Sequence, residues 1–178
     1  MMPFTYQRPG TLAEALNALQ ADPDAMAVAG GMTLVPAMKH RLAAPSQLLD
    51  IGRLSDLHGI EVTDSQVEIG SATSHATVAS DPNVMKAIAA LASLANLIGD
   101  PQVRARGTLG GSVANNDPAA DYPSAVMALK GVIVTNTREI AAADFFQGMF
   151  TTALEPGELI TSIRFAVPEQ AAYAKFHH

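Results

Sequence analysis

Hydrophobic residues in the first third of the chain recur with the period of a helix and then of short strands. One helix face is predicted by the apolar positions Leu12, Ala15, Leu16 and Leu19. Thr11 directly precedes this face and Glu14 lies in its first turn, and the two residues are predicted to form a capping box at the start of the helix. Short apolar runs at 25–29 and 47–51 predict buried strands on either side of a second helix, for which Thr33 is the expected N-cap. The order strand, helix, strand predicts a small lobe with parallel strands.

Farther along the chain, the hydrophobic period changes from that of a helix to that of a strand. Residues 60–62 and 67–69 alternate between apolar and polar side chains and are joined by turn-forming residues. Residues 132–134 and 138–140 repeat this arrangement, and residues 159–167 alternate again. The pattern predicts two antiparallel hairpins and one further strand in a second, larger lobe.

Helical signals separate these hairpins. Asp81 and Pro82 are typical of a helix start, and the apolar face that follows predicts one long helix ending at Gly99. Asp121 is the predicted N-cap of a short helix. Between them, residues 100–121 include five Gly or Pro and little periodicity, which predicts a long loop. Because long loops in compact domains are usually functional or disordered, this segment is a candidate for ligand binding.

Composition excludes several classes of protein. The 178 residues carry a net charge of −6, which argues against a dedicated nucleic-acid binder. Cysteine is absent, so this chain supplies no disulfide, thiolate metal ligand or iron–sulfur ligand. No apolar run approaches a membrane span, and no signal peptide is recognised at the N-terminus. We therefore predict a soluble, cytoplasmic protein without a metal site of its own.

Two double-glycine segments carry the candidate chemistry. Residues 29–33 and 108–112 each place Gly-Gly beside hydroxyl side chains, namely Thr33 in the first and Thr108 and Ser112 in the second. Backbone amides around such glycines can form an anion-binding nest. Two interpretations stay open from these residues: glycines that simply make turns, or a clasp for the two phosphates of a dinucleotide without any Lys or Arg.

Other candidate residues have simpler structural interpretations. Asp117 and Asp121 are four residues apart, but a hydrolytic pair would need divergent pKa values, and Asp121 is better explained as a helix cap or a ligand for sugar hydroxyls. The remaining candidates are interpreted as hydrogen-bonded structural residues (His40, His75), core fillers (Met85, Met127) and an exposed tail or the first residues of a strand (173–178, with His177 and His178).

The two glycine segments and their neighbours also resemble a known family. Residues 29–36, 100–112 and 114–123 are similar to the FAD-binding medium subunit of molybdenum hydroxylases, the group of carbon monoxide dehydrogenase and xanthine dehydrogenase. The likeness extends over nearly the whole chain. It implies a two-lobed α+β FAD-binding fold of the vanillyl-alcohol-oxidase type, with a small parallel-strand lobe at 1–55 and a larger antiparallel-sheet lobe at 56–178.

The resemblance implies a role for each matching residue. Asp121 would contact the hydroxyl-bearing region of the flavin nucleotide, and Lys175 would lie near the isoalloxazine, where a cation favours anionic reduced flavin. No residue is expected to act as a catalytic acid or nucleophile. The residues implied to hold the pyrophosphate are Ala29, Gly30, Gly31, Met32, Thr33 and Leu34 in the first segment and Thr108, Gly110, Gly111 and Ser112 in the second.

The implied function is electron transfer within a complex. A molybdopterin-binding large subunit oxidises the substrate, and electrons pass through [2Fe-2S] clusters of a small subunit to FAD on this chain and then to an acceptor. The family continues into a C-terminal domain, which the resemblance predicts to be missing here. The alternative is a truncated or diverged scaffold subunit that binds no FAD. A stand-alone flavin oxidase is less favoured because nothing resembles a substrate-site base.

Overall fold

The computed structural model describes residues 1–176 and consists of two lobes. The smaller lobe is built on a three-stranded parallel sheet with strand order β1-β3-β2, and its two helices connect the strands. In chain order its elements are β1 (Thr5–Gln7), α1 (Leu12–Ala21), β2 (Met26–Val28), α2 (Leu34–Lys39) and β3 (Gln47–Asp50).

Local sequence signals explain the start of α1 but not of α2. The Thr11 hydroxyl accepts from the Glu14 amide at 3.2 Å, which confirms the Thr11 half of the capping box. The Glu14 carboxylate accepts from the Gly10 amide at 2.7 Å, one residue before the cap that it was predicted to reach. Thr33 precedes α2 but has a helical backbone and makes no side-chain cap, so its predicted capping bond is absent. The strand predicted as buried at 25–29 is exposed to half-buried, because β2 is an edge of the sheet and β3 occupies its centre.

The larger lobe contains a five-stranded antiparallel sheet with strand order β4-β5-β10-β6-β7. Both predicted hairpins are confirmed, as is the strand that pairs between them. The elements are β4 (Ile60–Val62), β5 (Gln66–Gly70), α3 (His75–Ser80), α4 (Pro82–Ala87), α5 (Ala89–Asn96), α6 (Pro101–Arg106), α7 (Leu109–Asn115), α8 (Asp121–Ala128), β6 (Val132–Thr135), β7 (Glu139–Ala141), α9 (Ala142–Phe145), β8 (Phe146–Gly148), β9 (Thr151–Thr152) and β10 (Ile160–Ala166).

The hydrophobic core of the larger lobe lies between this sheet and its helices. Ile163 and Phe165 on the central strand β10 are fully buried, as are Leu109 on α7 and Val126 on α8. A second cluster joins the lobes, because Ala15 and Ile51 of the small lobe pack with Leu57, Ala72 and Leu159 of the larger lobe. Burial of aliphatic side chains at about 25 cal/mol per Å² therefore stabilises each lobe and also the contact between them.

The single helix predicted for residues 81–99 is wrong. Asp81 does cap a helix, accepting from the amides of Asn83 and Val84, but that helix is α4 and ends at Ala87. Ile88 then adopts φ −141°, outside the helical region, and places its side chain in the core before α5 begins. Gly99 is not the cap either, since α5 ends at Asn96 and Leu97 is its C-cap.

The long loop predicted for residues 100–121 is also wrong, because it contains α6 and α7. Asp100 caps α6 by accepting from the Val103 amide at 2.8 Å, the same Asp-Pro signal as at Asp81. Thr108 caps α7 by accepting from the Gly111 amide at 3.1 Å. Two glycines lower the helix propensity of α7, and capping and packing override that low propensity.

Two smaller predictions also fail. Met85 and Met127 are 49% and 45% exposed, so neither fills the core, and Met85 lines a surface groove with residues of α3 and α5. Residues 173–176 form no strand, and His177 and His178 lie outside the described residues. Across residues 1–176, no helix is both long enough and apolar enough to span a membrane.

Candidate cofactor-binding site

The two double-glycine segments meet where the lobes touch. A Cβ atom on Gly30 would lie 2.0 Å from the Arg106 carbonyl oxygen and 2.9 Å from the Gly107 Cα. Real Cβ atoms do not approach backbone this closely, so residue 30 must be glycine for the first segment to rest against the second. The predicted proximity of the two segments is thus a packing requirement of the fold.

The first segment presents unused hydrogen-bond donors. Within the described part of the chain, the amides of residues 30–34 have no protein acceptor. The segment follows β2 at the carboxyl end of the parallel sheet, where ligands commonly bind in α/β folds. Because unpaired amides prefer a partner, and an anion can accept from several at once, these five donors suit a phosphate group.

The second segment differs, because its amides are already bonded. The Leu109 amide donates to Thr73 O at 3.1 Å, the Gly110 amide to Ser71 O at 2.8 Å, and the Gly111 amide to Thr108 Oγ1. A Cβ on Gly110 would lie 2.4 Å from Ser71 Cβ, so Gly110 permits close packing. The hypothesis of two equivalent amide nests therefore does not hold for this segment.

A cleft of about 330 Å³ separates the lobes beside these segments. On the small-lobe side it lies beyond the carboxyl ends of β1, β2 and β3, and on the other side it is bounded by α3 and the α6–α7 junction. Its lining includes Arg8, Ala29, Arg53, Ser74, Arg106 and Thr108.

The charges of this cleft were missed by sequence reasoning, which expected a phosphate clasp without Lys or Arg. Asp50 accepts from Tyr6 Oη at 2.5 Å and pairs with Arg8 at 3.4 Å. Burial raises the pKa of Asp50, but the Tyr6 hydrogen bond, the Gly52 amide and Arg8 outweigh it and leave that pKa lowered. Arg53 also lines the cleft. Its position after the parallel strand β3 was the sequence signal that could have revealed it.

Asp121 and Lys175 form a second group of predicted site residues. Lys175 Nζ donates to Asp121 Oδ2 at 2.8 Å and to Leu97 O at 3.0 Å, and Tyr173 Oη donates to Asp121 Oδ1 at 2.5 Å. Burial and the neighbouring carboxylate raise the pKa of Tyr173 to about 12. Asp121 is the first residue of α8 and does not cap it, which corrects the N-cap interpretation. In residues 1–176, neither residue hydrogen-bonds to a double-glycine segment.

Two buried polar side chains lie under the second segment. The His75 amide donates to Gly107 O at 2.9 Å, and the His75 ring packs 5.3 Å from the Tyr122 ring, centroid to centroid. His75 Nδ1 and Tyr122 Oη are buried without a protein partner in the described residues, so the expected hydrogen-bonded ring is wrong. Burial lowers the pKa of His75 to about 4.

The neutral state of His75 predicts a specific acid sensitivity. The pKa of histidine in an unfolded chain is near 6.5. Between about pH 6.5 and 4, His75 is therefore protonated in the unfolded chain but neutral in the folded chain. Stability present above pH 6.5 is therefore lost as the pH falls toward 4. Between pH 7.5 and 5.0 we expect His75 to account for roughly 1–2 kcal/mol of this loss. Urea unfolding of wild type and His75→Gln at both pH values measures it, and an equal pH slope in both proteins would contradict the assignment.

Fold and site together define a two-lobed α+β nucleotide-binding domain. Its features are a parallel-strand lobe, a larger antiparallel lobe, arginines that line the cleft between them, and unpaired amides at residues 30–34, directly after Ala29 in the cleft lining. Residues 2–169 match the family described as the FAD binding domain in molybdopterin dehydrogenase, and the chain belongs to that family. FAD is therefore the cofactor of this domain. In the described residues, no cluster of three His, Cys, Asp or Glu forms a metal site.

Known proteins and structures support the assignment. The carbon monoxide dehydrogenase medium chain of Afipia carboxidovorans is 41% identical, with 93% of this chain aligned to 59% of that protein. The glyceraldehyde dehydrogenase medium chain of Sulfolobus acidocaldarius is 37% identical over 92% of this chain and 60% of its own length. The structure of quinoline 2-oxidoreductase from Pseudomonas putida 86 superposes with a TM-score of 0.92 at 33% identity, covering 95% of this chain and 61% of that one. The chain thus spans about three fifths of the length of these relatives.

Proposed function

We propose that this chain is the FAD-binding part of a medium subunit in a molybdenum-containing hydroxylase or dehydrogenase complex. The observation that carries the proposal is the run of five unpaired amides at residues 30–34, placed at the carboxyl edge of the parallel sheet and against the second lobe. These donors fit the diphosphate of FAD. When bound, FAD supplies the electron-carrying chemistry, and the chain supplies binding, orientation and electrostatics.

Each predicted site residue receives a distinct role under this proposal. Residues 29–34 hold the diphosphate through backbone amides, and Gly111 and Ser112, the less buried part of the second segment, complete the wall. Asp121 orients the hydroxyl-bearing region of the nucleotide. Lys175 uses two of its three N–H donors within the protein, which leaves one for the flavin side of the cofactor.

The partner subunits follow from the chemistry that this chain lacks. With no cysteine, it cannot ligate an iron–sulfur cluster, so the [2Fe-2S] relay belongs to a small subunit and the molybdopterin to a large one. Electrons would then pass from the small subunit through FAD to an acceptor. Co-expression with both candidate subunits and affinity capture through a tag on this chain tests the assembly, and failure to recover either subunit would contradict it. The cytoplasmic location stays a prediction.

Cofactor binding is tested directly by titrating the purified chain with FAD. We expect quenching of flavin fluorescence with saturation, a visible flavin spectrum, and a melting temperature that rises with FAD concentration, because ligand binding to the folded state stabilises it by RT ln(1 + [L]/Kd). At a concentration one hundred times Kd this stabilisation is about 2.7 kcal/mol.

Riboflavin, which lacks phosphate, is the matched control ligand and should bind much more weakly. A folded chain that gains neither quenching nor thermal stability with FAD would contradict the proposal and favour the alternative, a scaffold subunit that binds no flavin.

A further inference from the structure

We propose that Arg53 and Arg106 form a cationic subsite that binds the diphosphate of the cofactor from the side opposite the 30–34 amides. This inference rests on the proposed function, since it assigns the anion in the cleft to FAD. It adds two charged residues from different lobes to a site that the sequence had built from backbone amides and hydroxyls alone.

Position supports the assignment. Arg53 follows β3 by three residues and lines the cleft at the carboxyl edge of the small sheet. Arg106 is the last residue of α6 and lines the same cleft from the larger lobe. Its carbonyl oxygen is the atom against which Gly30 packs, so Arg106 is fixed directly beside the first double-glycine segment.

Charge supports it independently. Asp50 is the acidic residue lining the cleft, and it is already paired with Arg8 and hydrogen-bonded to Tyr6. Within residues 1–176, Arg53 and Arg106 have neither an ion pair nor a side-chain hydrogen bond. The cleft therefore carries two uncompensated positive charges on a chain of net charge −6. The electrostatic potential in the cleft is therefore positive although the chain as a whole is negative, and a positive potential attracts a phosphate-bearing ligand.

Arginine is also the suitable cation chemically. The planar guanidinium offers several N–H donors in a fork that matches phosphate oxygens, and these charge-assisted bonds are about twice as strong as neutral ones. Amides at residues 30–34 and arginines from both lobes would surround the diphosphate. Binding would then draw the lobes together, and the domain would select dinucleotide FAD over riboflavin.

The test measures affinity and its salt dependence in the purified chain. We expect Arg53→Gln and Arg106→Gln each to raise the Kd of FAD and of ADP about tenfold, the loss of one charge-assisted hydrogen bond. The decrease in affinity between 50 and 300 mM NaCl should be shallower in each variant, because one screened attraction is gone. Arg106→Lys should recover part of the affinity by restoring the charge without the fork.

Lys86→Gln is the charge-matched control, because Lys86 is exposed on α4 away from the cleft lining and its loss should leave both Kd values unchanged. Thermal unfolding without ligand should be the same for all four variants, since these side chains are exposed.

An unchanged Kd for FAD in both glutamine variants would overturn the inference. So would an effect on ADP without one on FAD, which would assign the cleft to a separate nucleotide. If wild type binds no FAD at all, the proposed function itself has failed.

Discussion

Gly30→Ala is expected to lower FAD affinity at least about hundredfold, equivalent to ~2.7 kcal/mol. The added Cβ would lie 2.0 Å from the Arg106 carbonyl oxygen, which is backbone and cannot rotate away. The first segment must then move off the second, which displaces the 30–34 amides and opens the contact between the lobes. Overpacking of this kind costs about 3 kcal/mol of stability. FAD titration and urea unfolding of the variant measure the two effects.

Gly10→Ala is the matched control for this substitution. Its Cβ would meet the Glu14 carboxylate at 3.4 Å, an ordinary contact with a flexible side chain. We expect FAD affinity and stability close to those of wild type. If Gly30→Ala bound FAD as tightly as Gly10→Ala does, the lobe contact would not be what positions the first segment.

Glu158→Gln is expected to destabilise the chain by about 3 kcal/mol without changing the cofactor-binding residues. The Glu158 carboxylate is nearly fully buried, with 3% of its side chain exposed. It accepts from Thr137 Oγ1, from Arg138 Nε and Nη2 and from the Glu155 amide, each at 2.8–2.9 Å. An amide in its place would direct N–H groups at these donors and leave several of them unpaired.

Glu155→Gln supplies the internal comparison. Glu155 pairs with the same Arg138 at 3.3 Å, but 71% of its side chain is exposed. Exposed pairs contribute about 0–1 kcal/mol, so this variant should unfold almost like wild type. Equal destabilisation of the two variants in urea would show that burial does not determine the contribution of this cluster.

Glu158 also predicts how the chain responds to acid. The Arg138 hydrogen bonds lower the pKa of Glu158 to about 2, although burial alone would raise it. An unfolded glutamate titrates near 4.3, so the stability contributed by Glu158 is present above that pH and is lost as the pH falls toward 2. Glu158→Gln should lack this part of the acid transition. A wild-type stability curve between pH 5 and 2.5 that matches the variant in slope would contradict the low pKa.

Local signals in the sequence were sufficient where a few neighbouring residues decide the outcome. The Thr11 cap, the Asp81 cap and both hairpins depend on hydrogen bonds and alternation within short segments, and all are present. The family resemblance was similarly accessible, because the motifs at residues 29–36 and 100–123 are contiguous. Together they predicted the α+β class and the small parallel and large antiparallel sheets.

Sequence patterns failed where distant contacts decide local structure. Ile88 interrupts the helix predicted to run to Gly99, since its side chain is recruited into the core. Gly110 lies in a helix despite its low propensity, because it permits contact with Ser71 some forty residues earlier. The composition shows that the chain contains a few arginines, but it does not indicate that Arg53 and Arg106 line the same cleft.

The sequence by itself determined the family, the cofactor class and the two glycine segments, because these are encoded in contiguous motifs. Tertiary structure decided how the two segments differ. At residues 30–34 the amides remain unpaired, whereas at residues 109–111 they are used by Thr73, Ser71 and Thr108. The physical reason is that a backbone donor's availability depends on which acceptors the fold brings near it, and those acceptors lie outside the motif that contains the donor.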